Sequence, residues 1–283
     1  MSQNSNIEWT EATWNPWHGC HKVSPGCKHC YMFRDKARYG QDPNVVVRSK
    51  TTFFAPEKWK DPKLIFTCSW SDWLIEEADP WRDEAYEVIR ATPRHTYQIL
   101  TKRPERFPGR VPDPPLPNVW LGVSVESRDY LHRIDYLRRT PAAVRFLSLE
   151  PLLEDLGDIS RYLKPEVVNQ RKECGYYCDP DEFGGGHHDH GGEQLSGIDW
   201  VIVGGESGKG ARPCDIRWIA SIVDQCRVAQ VPVFVKQLGS NAVDMLGRMS
   251  GAMFSKTDKK GSQIESIPHH IRIRQMPELK CHP

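Results

Sequence analysis

Long apolar runs are missing from this sequence. None approaches the roughly 20 residues that cross a bilayer, and the opening MSQNSNIEWTEATW lacks the basic-then-apolar pattern of a secretory leader, so a cytoplasmic protein without membrane contact is expected. Charge of one sign is not in excess either. The 38 Lys and Arg nearly balance the 37 Asp and Glu, so no global field advertises nucleic-acid binding, although a local basic groove fits these counts. No internal repeat appears, which sets repeat architectures aside. Cysteine is the exception. There are nine, an odd count, and in a reducing compartment they point to metal or cluster binding before disulfides.

At 283 residues the chain suits one α/β barrel-type domain or two ordinary domains. Six short apolar runs read as strands: Leu64–Thr67, Thr96–Leu100, Val119–Val123, Val144–Leu147, Trp200–Val203 and Pro232–Val235. Continuous runs of this length suit strands buried on both faces of a parallel sheet. Helical patterns fill most gaps, at Asp83–Ala91, Tyr130–Arg138 and Ile216–Ala229. The alternation predicts repeated βα units, forming a partial or closed (β/α) barrel. Residues 1–239 make up that barrel. A glycine-rich, aliphatic-poor insertion at about 157–197 interrupts it, and 240–283 form an irregular C-terminal extension capping one end.

WNPWHGCHKVSPGCKHCY, residues 14–31, holds Cys20, Cys27 and Cys30. Ser24-Pro25-Gly26 supplies a turn that brings Cys20 back toward the other two, and YMFRDKARYG reads as a helix start after a loop. A structural zinc site needs four ligands, and a neighbouring histidine could complete one here. An iron–sulfur cluster that keeps one iron free needs three thiolates and no more. Both remain open on the residues alone. In parallel barrels chemistry gathers on the loops after the strands, so a cluster on the first such loop would sit at the mouth.

The trio, the Tyr31 that follows it and the series of strand ends resemble the radical S-adenosylmethionine (SAM) superfamily, with Cys-x6-Cys-x2-Cys in place of its usual Cys-x3-Cys-x2-Cys. IEWTEATWNPWHGCHKVSPGCKHCY, LTKRPERF, LGVSVE, RFLSLEPLL and DWVIVGGESGKGARP resemble more closely the phage and bacterial three-cysteine-motif family, from about Ile7 to Gly239. The resemblance implies a radical SAM type of barrel with a [4Fe-4S] cluster on Cys20, Cys27 and Cys30. Its open iron would chelate SAM, and reductive cleavage would give a radical that abstracts hydrogen from a substrate. A reductant such as flavodoxin or ferredoxin is implied as partner.

Under the same resemblance the strand ends become cofactor and substrate contacts. Ser69 would meet the methionyl group, Lys102 with Arg103 a carboxylate or phosphate, and Ser124 and Glu126 the ribose. Glu150 follows the next strand, and Gly204, Gly205 and Glu206 stand on the adenine side. Taken singly, Ser71, Lys236 and Gln237 are where chains reach water. A nucleic-acid base, repaired or modified, is the expected substrate, and Trp9, Trp14, Trp17, Trp70 and Trp73 are either stacking platforms or, more simply, barrel filling. Cys68 and Cys226 read as core residues. In the insertion, Cys174, Cys178, His187, His188 and His190 have ligand types suited to zinc but fit no standard finger. The rival function is a zinc-stabilised barrel that binds nucleic acid or protein without radical chemistry.

Overall fold

The structure is a computed structural model that describes residues 3–168, 193–243, 258 and 260–278. Its centre is a sheet of seven parallel strands in chain order: β1 (Ala12–Trp14), β2 (Leu64–Thr67), β3 (Thr96–Thr101), β4 (Val119–Ser124), β5 (Val144–Leu149), β6 (Trp200–Gly204) and β7 (Val233–Gln237). Among the described residues five helices accompany it: α1 (Tyr31–Arg38), α2 (Asp79–Ala91), α3 (His132–Arg139), α4 (Ser160–Leu163) and α5 (Ile216–Ala229). The six predicted strands are all present, and the α5 boundaries match the sequence pattern. β1 is additional. Three residues in the polar setting of TEATWN give no apolar run, yet Thr13 stands opposite Phe66 of β2 in a parallel ladder.

Trp9 shows how far the sheet curls. Its ring lies 4.8 Å from that of Phe66 on β2 and 6.3 Å from that of Trp200 on β6. Four strand spacings of a flat sheet would separate those strands by roughly 19 Å. The sheet is therefore a half-barrel, the partial form of the two anticipated, with Trp9 on its concave side.

Alternation along the strands sorts the two faces. The concave face carries Trp120, Phe146, Ile202, Trp200 and Phe234 around Trp9, a buried aromatic floor. The opposite face carries Ile99, Leu121, Leu147, Val203 and Val235, covered by apolar residues of the helices such as Ile89, Ile134 and Ile222. Continuing the same alternation toward the carboxyl ends places Ser124, Ser148 and Lys236 on the concave side above the floor.

The outer edge of β7 does not remain open. Val235 N donates to Ile273 O at 2.8 Å and Gln275 N to Val233 O at 3.0 Å, so the C-terminal segment runs antiparallel along it. This supplies partners to backbone groups that an exposed edge would leave free. At the base of the insertion, Glu166–Val168 and Glu193–Leu195 form an antiparallel ladder. The candidate zinc ligands at 174, 178, 187, 188 and 190, like Cys281, lie outside the described residues. No helix among the described residues is long and apolar enough to cross a membrane.

Candidate functional site

The three cysteines occupy the long connection from β1 to α1, at the carboxyl end of the half-barrel. Hydrogen bonds with the loop after β2 fix where that connection starts. Asn15 Oδ1 accepts from Trp70 N at 2.8 Å, and Asn15 Nδ2 donates to Ser69 Oγ at 3.0 Å. Gly19 N donates to Trp70 O at 3.0 Å, and Ser71 Oγ donates to Gly19 O at 2.6 Å. Gly19 has φ +104, and a Cβ there would run into the Val45 backbone, so glycine is required for this close approach. Ser24-Pro25-Gly26 turns as the sequence predicts. Pro25–Cys27 is a 3₁₀ turn in which Cys27 N donates to Ser24 O at 3.0 Å.

Cys20, Cys27 and Cys30 are free thiols and partly exposed. Burial pushes the Cys20 thiol up to about 12, with Asp72 adding to the rise and the Arg103 guanidinium opposing it. Among the described residues, no three His, Cys, Asp or Glu side chains converge as the ligands of a single ion would.

Three acid–arginine pairs grip the cysteine loop, each anchored at a different strand end. In the first, Arg103, just after β3, lies 3.1 Å from Asp72 Oδ2; it donates to His21 O at 2.9 Å and to Cys20 Sγ at 3.8 Å. In the second, Glu126, just after β4 and fully buried, accepts from Arg133 Nη1 of α3 at 3.0 Å and from Gly26 N at 3.3 Å. A Cβ on Gly26 would stand 2.9 Å from that carboxyl group, so residue 26 must be small. In the third, Glu206, just after β6, takes two hydrogen bonds from the Arg212 side chain, at 2.9 and 2.5 Å, and one from its backbone N–H at 2.9 Å. Arg212 Nη1 continues to Pro25 O at 2.8 Å, and His29 Nδ1 meets Glu206 Oε2 at 3.1 Å. Burial alone would raise the Glu206 carboxyl, but the bonds from Arg212 and His29 hold it at about 2.

Glu126 and Glu206 are thus occupied with the loop, a role that the strand-end pattern alone did not assign. Ser69 also meets it, accepting from Tyr31 Oη at 2.5 Å through its backbone carbonyl. Lys102 is held by its backbone N–H, which donates to Asp72 Oδ2 at 2.9 Å. Ser124 is buried, and its carbonyl accepts from Arg133 at 2.9 Å. Glu150 takes both oxygens to Lys236 Nζ, at 2.8 and 2.9 Å, with Gln237 Nε2 at 2.9 Å. Gly204 and Gly205 lie where β7 comes close: a Cβ on Gly204 would stand 3.0 Å from Gln237 O. Of the tryptophans, Trp9, Trp14, Trp17 and Trp73 are core residues, and Trp70 alone of the five is partly exposed. Cys68 and Cys226 are buried as anticipated, and so is Cys214.

A family model described as "Protein of unknown function (DUF5131)" matches residues 4–268. The chain belongs to this family. No curated protein and no solved structure gives a match.

In this DUF5131 chain the sequence signal for the grip was present but divided. Arg103 stands inside LTKRPERF and Arg212 inside GGESGKGARP, while Asp72 and Arg133 lie in stretches with no motif character. What the DUF5131 arrangement offers chemically is a set of three reduced sulfur donors on one loop, backed by guanidinium groups and fixed carboxylates. Thiolates are soft ligands that suit zinc and iron–sulfur clusters alike, and three is the number of thiolates that a cluster with one open iron takes.

Proposed function

We propose that the protein is a radical SAM enzyme in which Cys20, Cys27 and Cys30 hold a [4Fe-4S] cluster and the concave face of the half-barrel receives SAM and substrate. The observation that carries this reading is the position of three free thiols on the first loop above a parallel half-barrel whose lower interior is closed by aromatics. Bound there, the cluster would supply the electron for reductive cleavage of SAM, generating an adenosyl radical that takes hydrogen from the substrate.

The chain's own residues set the conditions for that chemistry. Trp9, Phe146 and Trp200 exclude water from below. The three acid–arginine pairs fix the loop before any cofactor arrives, so little ordering remains when it binds. Glu150, just after β5, and Lys236 of β7 place opposite charges beside each other; the polar ends of an amino-acid ligand such as the methionyl group of SAM would exchange into this ion pair. Trp70 and Lys102 remain at the rim as contacts for the nucleic-acid base expected as substrate.

Metal analysis of anaerobically purified protein tests the reading. About four irons and four sulfides per chain, as one [4Fe-4S] cluster requires, with a brown colour lost in Cys20→Ala, Cys27→Ala and Cys30→Ala, would support it. A colourless chain with one zinc, or iron that survives all three substitutions, would overturn it in favour of a zinc-stabilised binding module.

A further inference from the structure

The edge of the half-barrel beside β7 carries a cation without a counter-charge. Arg274 stands opposite Phe234 in an antiparallel pair, so both side chains lie on the concave face, and the guanidinium is 5.4 Å from the Phe234 ring centre. Three of its five N–H groups are spent on backbone carbonyls. Nε donates to Val235 O at 3.3 Å, and Nη2 donates to Lys236 O at 3.1 Å and to Ser262 O at 2.5 Å. Nη1 keeps both hydrogens, meets no acceptor among the described residues and is open to solvent. No carboxylate among the described residues pairs with Arg274.

Lys236, two residues beyond Phe234 on β7, lies on the same face. Its ammonium gives two of three hydrogens to Glu150, at 2.8 and 2.9 Å, and one is left over. Two cations against this one carboxylate leave the group with a surplus positive charge. Arg274 is half-buried, where a charge is costly unless paired, and the Phe234 ring offsets only part of that cost. A glutamine amide would fasten the C-terminal segment to two of the same carbonyls with no charge to bury. The charge of Arg274 therefore has a use beyond fastening.

We propose that Arg274 and Lys236 form a phosphate-binding site on the concave face, at the edge closed by the C-terminal segment. The hydrogens left free on Arg274 Nη1 and Lys236 Nζ are its donors, and the surplus charge sets the sign of the ligand. Their arrangement favours phosphate over carboxylate. A planar carboxylate is gripped by two parallel N–H groups on one edge of a guanidinium, and both such edges of Arg274 include Nη2, whose hydrogens are already taken by Lys236 O and Ser262 O. What remains comes from two separate side chains and so from two directions, which suits the tetrahedral oxygens of a phosphate. The inference goes beyond the cluster reading and does not depend on it, because only side chains of this chain meet the anion.

The test is isothermal titration calorimetry on the full chain at low salt, with inorganic phosphate and thymidine 5′-monophosphate as probes and acetate and thymidine as controls. Wild type should bind both phosphates, and neither control at comparable concentration. Arg274→Gln should weaken phosphate binding at least about tenfold, the scale of a lost charge-assisted hydrogen bond, and Arg274→Lys should lose less. Lys236→Gln should weaken it in the same way and keeps the test alive if loss of Arg274 unfolds the chain. Tighter binding of the nucleotide supports the site with a nucleotide as ligand, and tighter binding of inorganic phosphate supports it with the free ion. No binding of either phosphate by wild type, acetate bound as tightly as phosphate, or equal affinities in wild type and both Gln variants would overturn it. Iron content of the same preparation is read separately: a chain without iron that binds phosphate loses the cluster reading and keeps this site.

Discussion

Arg103 stands between Asp72 and Cys20, 3.1 Å from the carboxylate and 3.8 Å from the sulfur. A buried cation is thereby held against the first of the three thiols by an acid from a neighbouring strand end. Burial alone would lower the Arg103 pKa, but Asp72 and Cys20 raise it above its ordinary value, so the guanidinium stays charged. Hydrogen bonds to the sulfurs are among the features that set cluster potentials. If the three cysteines hold the proposed cluster, replacing Arg103 by Gln should therefore lower its midpoint potential, with Arg103→Lys intermediate, as read by a titration followed by electron paramagnetic resonance. Breaking the buried pair should also cost about 3 kcal/mol in denaturant unfolding. An unchanged potential would show that the contact is structural only.

The Glu206–Arg212 pair makes a separate claim on the loop. Glu206→Gln removes the charge that takes both Arg212 nitrogens and His29. Partners that orient metal ligands typically matter about 10- to 100-fold in affinity. If the loop holds the proposed cluster, iron retention against a chelator should fall by that order in Glu206→Gln and in Arg212→Met, and the double variant should lose little more than either single one. Additive losses would show that the two residues act apart.

Stability at acid pH follows from the same carboxylate. Its pKa of about 2 in the fold lies below the ordinary 4.5, so the unfolded chain binds this proton first. The contribution is complete above pH 4.5 and is lost as pH falls toward 2. Unfolding free energies of wild type and Glu206→Gln, measured from pH 6 down to 3, should converge as the pH drops. A constant difference across that range would contradict the assignment.

The aromatic floor that closes the concave face from below is also a stability element. Trp200 is fully buried and packs against Trp9, Trp120, Phe146 and Phe234 with ring centroids 5.8–6.3 Å apart. Trp200→Ala should cost about 3–5 kcal/mol, visible in urea unfolding at constant slope. A loss below about 1 kcal/mol would mean that the concave face is not closed as described.

Much of this fold was legible in the sequence, for a physical reason. Strands buried on both faces must be apolar throughout, so LIFT, VWLGV and WVIV announce themselves, and α5 repeats Ile219, Ile222, Val223 and Cys226 at helical spacing. β1 was not legible. Ala12 and Trp14 face the helices while Thr13 faces inward, and three residues are too few to show a pattern. The curl of the sheet was hidden too, because only contact between Trp9 and strands far apart in the sheet reveals it. At the site, Cys20, Cys27 and Cys30 stood out by spacing. Glu126 and Glu206 stood out as strand-end acids, but what they bind depends on Arg133 and Arg212 and on a loop 100 or more residues earlier, and such distances leave no local signal.

The central claim concerns what three thiols above a parallel half-barrel do when SAM and an electron are supplied. The most direct measurement is chromatographic quantification of 5′-deoxyadenosine after incubating reconstituted, dithionite-reduced protein with SAM under strictly anaerobic conditions, alongside Cys20→Ala. The account predicts 5′-deoxyadenosine from the wild type at one or more equivalents per chain and none above background from the variant. A loaded, reduced wild type that leaves SAM intact, or a Cys20→Ala chain that cleaves it equally well, would contradict it.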